Sequence, residues 1–265
     1  QAVFVGARDI HAGPAPDGVR EAEDFDVIGA VVSRFHRFGG RGRRSRRVFG
    51  SPGLLFLFFA WGLLAVSSLF ALTTPDVFRY TIFSLIPLLS ILSIEHYKNN
   101  FHQALLLVLV SFAIGTAAEA YGLAGGAIFG ARYEYTFRTW FQILNVPFQV
   151  GAFWAIFYYL AHVVTNTFLR SKRVLKLCLL DATLMTGIDL LLDPVMVNKG
   201  AWRWFSAGPF FGIPTGNFSG WFLVSLAISF IVRRILKIKI SDKTNFALIS
   251  LISTIFILLV VLLSP

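Results

Sequence analysis

The sequence predicts an all-α fold: a polytopic membrane bundle of about seven transmembrane helices, N-inside and C-outside. Three observations carry that prediction. The 265-residue chain is 56% hydrophobic and 14% charged, with a mean hydropathy of +0.69, whereas an ordinary soluble domain is about a quarter charged. Seven apolar runs reach, or nearly reach, the roughly 20 residues a helix needs to cross the hydrocarbon layer. Lysines and arginines cluster beside those runs and alternate in sidedness along the chain.

The runs lie near residues 54–72, 78–95, 102–124, 148–169, 174–195, 219–236 and 245–263. Helices rather than strands follow, because in lipid each segment must satisfy its own backbone hydrogen bonds. With the N-terminal basic stretch cytoplasmic, the inner connections carry Lys98, then Arg170, Lys172, Arg173 and Lys176, then Arg233, Arg234, Lys237, Lys239 and Lys243. The outer side carries only Arg79, Arg132, Arg138, Lys199 and Arg203. That bias sets the orientation. Two outer connections, 125–147 and 196–218, are long and rich in aromatics, Gly and Pro, a composition expected of functional rather than linking segments.

Residues 1–50 form a separate, basic and weakly ordered extension, and residues 51–265 the transmembrane helical domain. The extension holds nine of the 24 basic residues and six of the 14 acids. Its acids do not suit a transit peptide, and it lacks an apolar h-region. It ends in RFGGRGRRSRRVFG, which serves either as a topology signal or as a grip on anionic lipid headgroups. The chain opens on Gln1, which reads as a fragment or a processed protein.

Several function classes are disfavoured. The net charge of +10 would suit nucleic acid, but its placement beside apolar runs points to membrane lipid instead, so no nucleic-acid partner is expected. Nothing in the sequence indicates a protein partner. The single cysteine, Cys178, leaves neither a disulfide nor a cysteine metal site. No HxxxH, HxxE or Cys–His spacing suggests a metal. The last run, FALISLISTIFILLVVLLS, has no lysine for a retinal Schiff base. No histidine pair and no GxGxxG supports a haem or flavin.

The acids are the informative residues. Carboxyls within spans are expensive and by default mark a site facing the bundle interior. Asp189 and Asp193 in GIDLLLDPVMV lie at i and i+4, on one helix face in the outer half of the fifth span. Asp181 lies about 12 Å deeper, near the depth of His162, and forms a separate element, a buried polar pair being the favoured role. Glu119 sits near the outer end of the third span in GTAAEAYGLAGG. There Gly115, Ala117, Ala118, Ala120 and Gly122 would let a neighbouring helix or ligand approach closely. Asn217 and Trp221 begin the sixth span, and YEYT and AWRW occupy the outer connections. All these groups reach one depth. Structural roles stand beside the functional one. Asp193, preceding Pro194, would end its helix near the headgroups; Asp189 would bond Asn217 or a tryptophan N–H. Glu119 would pair with an outer arginine such as Arg132, and Trp202, Trp204 and Trp221 would form an interfacial belt.

A carboxyl in a low-dielectric site can keep its proton near neutral pH and act as an acid, while a better-solvated neighbour serves as base. Beside aromatic faces, such a pair suits protonation of an electron-rich alkene, with the π-faces stabilising the cation and activated water capturing it. The same residues would equally form a proton relay in a membrane transporter or lipid-binding protein, although no broken spans repeat in two halves as such a transporter would show. An oxygen-dependent hydroxylase would need metal ligands that the sequence does not offer.

The stretches AEAYGLAGGAIFGARYEYT, GIDLLLDPVMVNKGAWRW and GPFFGIPTGNFSGW resemble the membrane carotenoid hydratase family. That family includes bisanhydrobacterioruberin hydratase and the enzymes adding a tertiary 1'-hydroxyl to γ-carotene or lycopene ends. The resemblance covers roughly residues 80–236. It implies an integral plasma-membrane enzyme, cofactor-free, that adds water across the terminal C1'–C2' double bond of an acyclic carotenoid held within the bilayer. The matching positions are Glu119, Tyr133, Tyr135, Asp189, Asp193, Trp202, Trp204, Asn217 and Trp221. On that likeness Asp189 would deliver the proton, and Asp193 or Glu119 would orient or deprotonate water. Tyr133, Tyr135, Trp202 and Trp204 would shield the cation, with Asn217 and Trp221 also on the substrate. Asp181, residues 1–50 and the last span lie outside the motif.

Overall fold

The computed structural model describes residues 76–125, 128–137, 139–169, 171–242 and 246–263. The extension over 1–50, the first expected span at 54–72, and Arg138, Arg170 and Lys243 lie outside the described residues. Among the described residues there are six helices: α1 (Asp76–Tyr97), α2 (Phe101–Gly125), α3 (Phe148–Phe168), α4 (Val174–Asn198), α5 (Thr215–Phe230) and α6 (Phe246–Leu263). α5 runs on as a π-helical turn, Ile231–Ile235. They coincide with the six expected runs from 78–95 onward; the largest difference is at α5, which starts at Thr215 behind Pro214 rather than at 219. Phe101–Gly125, Phe148–Phe168 and Thr215–Ile235 are long and apolar enough to cross a membrane by length and composition. α4 is interrupted by Lys176, Asp181, Asp189 and Asp193, but its three acids are buried in the bundle, where other protein groups rather than lipid meet them.

The long connections are partly strands, so the all-α expectation needs correction there. β1 (Tyr133–Tyr135) pairs antiparallel with β4 (Trp202–Trp204), in the register Tyr133↔Trp204, Glu134↔Arg203, Tyr135↔Trp202. β2 (Gln142–Ile143) and β3 (Val146–Pro147) form a second small pair. Leu144 and Asn145 turn between them with φ of 54° and 66°, the doubly left-handed geometry of a tight hairpin. Pro194 does not end α4; the helix continues to Asn198, against the expectation that Asp193–Pro194 marks its end.

Small residues set the helix spacing. A methyl on Gly115 of α2 would run into the Trp154 ring of α3, and one on Gly151 of α3 into Thr116 and Phe112 of α2. The two helices therefore approach at reciprocal glycines, as membrane helices do without a hydrophobic force between them. Likewise, Gly216 at the start of α5 lies against the backbone of Gly130, whose φ is +79°. This contact ties the segment after α2 to α5.

The other half of the bundle holds two buried polar clusters. Asp181 receives Arg233 on both oxygens, Nε to Oδ2 at 2.7 Å and Nη2 to Oδ1 at 2.8 Å, and Ser229 at 2.6 Å. Arg233 also donates to Asn166 Oδ1 at 2.5 Å. His162, with Nδ1 3.9 Å from Asp181 Oδ2, accepts from Asn166 at Nε2, 2.9 Å. The expected Asp181–His162 association thus exists, but its centre is Arg233. This residue, counted above among inner-loop charges, has a side chain only 4% exposed, carried inward on the π-helical turn. Nearby, Glu95 accepts from Lys98 (3.2 Å), Asn100 (3.1 Å) and Tyr159 (2.6 Å). Lys98 also reaches Asp242 at 3.4 Å, and Asp242 accepts the Ala247 N–H in the first turn of α6.

Removing one member of the Arg233–Asp181 pair strands the other. Arg233→Met should lower stability by about 3–5 kcal/mol. The double variant Arg233→Met/Asp181→Asn should recover much of that loss in SDS titrations of the detergent-solubilised protein.

Candidate active site

The nine site residues expected from the sequence all line one cavity. Glu119, Tyr133, Tyr135, Asp189, Asp193, Trp202, Trp204, Asn217 and Trp221 share it with Val150, Phe153 and Leu192. About 410 Å³ of non-atom space lies within its lining, open solvent at the mouth included. Its floor and walls follow from helical and strand periods. Asp189 and Asp193, one turn apart on α4, face Asn217 and Trp221, one turn apart on α5. On β1 and β4 alternate side chains share a face. Tyr133, Tyr135, Trp202 and Trp204 therefore turn inward together, while Glu134 and Arg203 turn outward and pair at 2.5 Å on the exposed face.

Each carboxyl is held by named donors. Glu119 Oε2 accepts the phenols of Tyr133 at 2.5 Å and Tyr135 at 2.7 Å, and Oε1 the Trp154 indole N–H at 2.9 Å. Asn217 Nδ2 donates to both aspartates, to Asp189 Oδ2 at 2.7 Å and Asp193 Oδ2 at 2.9 Å. The Trp202 N–H donates to Asp193 Oδ1. Trp154 stacks on Trp221, with centroids 3.9 Å apart at 14°, and so links the Glu119 network to the far wall. Tyr133 leans on Trp204 at 4.8 Å, and Tyr135 meets Trp202 edge-on at 5.9 Å.

Among the described residues, all the hydrogen-bond donors to these three carboxyls are neutral: phenol, indole and amide. No lysine or arginine pairs with them, whereas Asp181 and Glu95 each have a cation. A carboxyl neutralised by arginine has little use for a proton; one solvated by neutral donors can release or take one. Burial first, then the Glu119 charge beside them, holds both Tyr133 and Tyr135 well above the ordinary tyrosine range. The two phenols thus stay protonated donors.

The structure also redraws some expectations. Asp189 does bond Asn217, and Asp193 a tryptophan N–H, but both aspartates remain in the cavity wall. Glu119 takes Tyr133, Tyr135 and Trp154 rather than Arg132. Trp202, Trp204 and Trp221 line the cavity. Trp154 was not among the expected site residues, and neither were Val150, Phe153 and Leu192. Val150, Phe153 and Trp154 sit among apolar residues of α3 and Leu192 at the end of the Leu190–Leu192 run on α4, where nothing local separates a wall residue from a core residue. The paired strands did have a signal: YEY and WRW alternate aromatic with charge, and the central charges are opposite.

A family profile described as "Carotenoid biosynthesis protein" matches residues 79–264. No curated protein and no solved structure matches the chain.

The buried Glu119 network and the exposed face of the strand pair should respond differently to mutation. Trp154→Phe, which removes a buried donor to Glu119, should cost about 1–3 kcal/mol. Arg203→Ala should cost less than about 1 kcal/mol. Chemical unfolding of both variants in detergent checks the contrast.

Proposed function

The chain belongs to the carotenoid biosynthesis protein family, and from that premise we propose that it is a hydratase. It adds water across the terminal C1'–C2' double bond of an acyclic carotenoid end, giving a tertiary alcohol. One observation carries the reading. Three carboxyls with neutral partners meet an aromatic wall in one cavity, the equipment needed to protonate an alkene and hold the resulting cation.

Asp189 takes one donor, the Asn217 amide on Oδ2, so Oδ1 carries the proton in this scheme. Transfer of that proton to C2' uses the π pair to form a C–H bond and leaves a tertiary cation at C1'. The rings of Tyr133, Tyr135, Trp202 and Trp204 face it and stabilise it through their quadrupoles. Water attacks C1', and Asp193 takes the proton that water releases. Because both aspartates contact the same Asn217 nitrogen, the proton has a short return to Asp189, and the cycle closes with one water consumed. Glu119, with three donors already on its two oxygens, serves to hold β1 in place; the base is Asp193. The polyene lies in the bilayer, and only its end enters. The cavity faces the outer half of the plasma membrane, in a seven-span chain with its N-terminus inside.

The test is expression in a lycopene-producing bacterium, with pigments analysed after labelling with heavy-oxygen water and, separately, heavy dioxygen. A tertiary alcohol carrying solvent oxygen is expected. Oxygen from dioxygen would sink the reading, and an unchanged pigment profile would favour a proton-relay transporter. Asp189→Asn should abolish the alcohol while the protein still inserts; near-normal product would remove the acid assignment.

A further inference from the structure

Two indole N–H groups come from β4, and only one makes a well-formed hydrogen bond. Trp202 donates to Asp193 Oδ1. The Trp204 Nε1 is buried yet has no acceptor among the described residues. A buried donor without an acceptor is costly, and buried polar groups are nearly always satisfied. Phenylalanine in its place would fill the wall without that cost. The ring is fixed against Tyr133 at 4.8 Å, and its register opposite Tyr133 keeps it on the inward face of the strand pair. In the cavity it shares with Asp193, its N–H acts on that carboxyl as a donor, but its geometry falls short of a formed hydrogen bond. A donor and an acceptor that approach without bonding are suited to a bridging water.

We propose that the Trp204 N–H and the Asp193 carboxylate together form the seat of the reacting water, so that Trp204 decides whether the cation is hydrated. The water oxygen accepts from Trp204 Nε1 and one of its hydrogens donates to Asp193. This leaves an oxygen lone pair for C1' and a route out for the proton. The alcohol oxygen of the product then keeps the Trp204 bond. This inference rests on the hydratase reading and adds to it a specificity-determining residue.

Once C2' is protonated, the cation has two fates. It takes water, forming the C1'–O bond while Asp193 receives a proton. Alternatively it loses a proton from a neighbouring carbon, C2' or a C1' methyl, and returns to an alkene. In deuterated water the second route leaves alkenes that carry deuterium from the protonation step, in the original or a shifted position. The ratio of deuterated alkene to alcohol therefore reports water placement, whatever the overall rate.

The experiment uses the full chain in lipid nanodiscs with lycopene in deuterated water, and mass analysis of both products. Trp204→Phe should raise the ratio about tenfold or more, by analogy with the loss of one positioned donor in other active sites. Trp204→His, which returns a ring N–H, should bring it back toward the wild-type value. Phe153→Leu, a cavity-wall change that removes no polar atom, should leave it near wild type. An unchanged ratio in Trp204→Phe, alongside a wild type that hydrates, overturns the water seat and leaves the hydratase reading standing. An equal rise in Phe153→Leu also overturns it, since cavity shape alone would then account for the effect. A wild type that makes neither alcohol nor deuterated alkene removes the hydratase reading itself and this inference with it.

Discussion

A carboxyl buried in a helical bundle must find donors, and Glu119 finds three, on two elements other than its own. Two come from β1 and one from α3. Those bonds hold β1 against the end of α2, and β1 in turn positions β4 through their shared register. β4 carries the Trp202 N–H to Asp193 on α4, while Trp154 carries the stack onto Trp221 of α5. The whole cavity wall thus hangs on satisfying one acid. Loss of that acid would leave Tyr135 and Trp154 without that acceptor and Tyr133 with only the Glu119 backbone carbonyl, at 3.2 Å, a change with consequences well beyond one side chain.

The same constraint is met differently in the two halves of the bundle. Away from the cavity, Asp181 and Glu95 are met by the cations Arg233 and Lys98; Arg233 joins elements distant in sequence, and Lys98 does so through its second contact, with Asp242. Around the cavity the partners are phenols, indoles and an amide. Both solutions satisfy hydrogen bonding, but only the second leaves carboxyls able to exchange protons with a ligand. The division gives Asp181 a purpose: with Arg233, Ser229 and Asn166 it fastens α4 to the π-helical end of α5 and to α3. It belongs to the framework and not to the cavity.

Much of this was legible in one dimension. Run lengths located the six described helices, and the alternation of spans put Glu119, Asp189, Asp193, Asn217 and the aromatic segments at one depth; the structure gathers them around one cavity. The small residues near Glu119 were readable as a close approach, and Gly115 indeed lies against Trp154. The partners were not legible. Arg233 looked like one more topology charge, because nothing local shows that a π-helical turn carries it inward. Trp154 looked like core, because its N–H matters only once α3 meets Glu119. The strands escaped notice because three-residue elements fall below any periodicity window, even with YEY and WRW in view.

The sequence by itself determined which acids lie within apolar runs and at what height along them. Height follows from a rise of about 1.5 Å per residue. Only the tertiary structure decided which donor meets which acid. Tyr133 and Trp154 lie 14 and 35 residues from Glu119, and Arg233 lies 52 from Asp181. At such separations the pairing is set by how the helices pack and in which register two short strands meet. Neither leaves a mark on the residues in between.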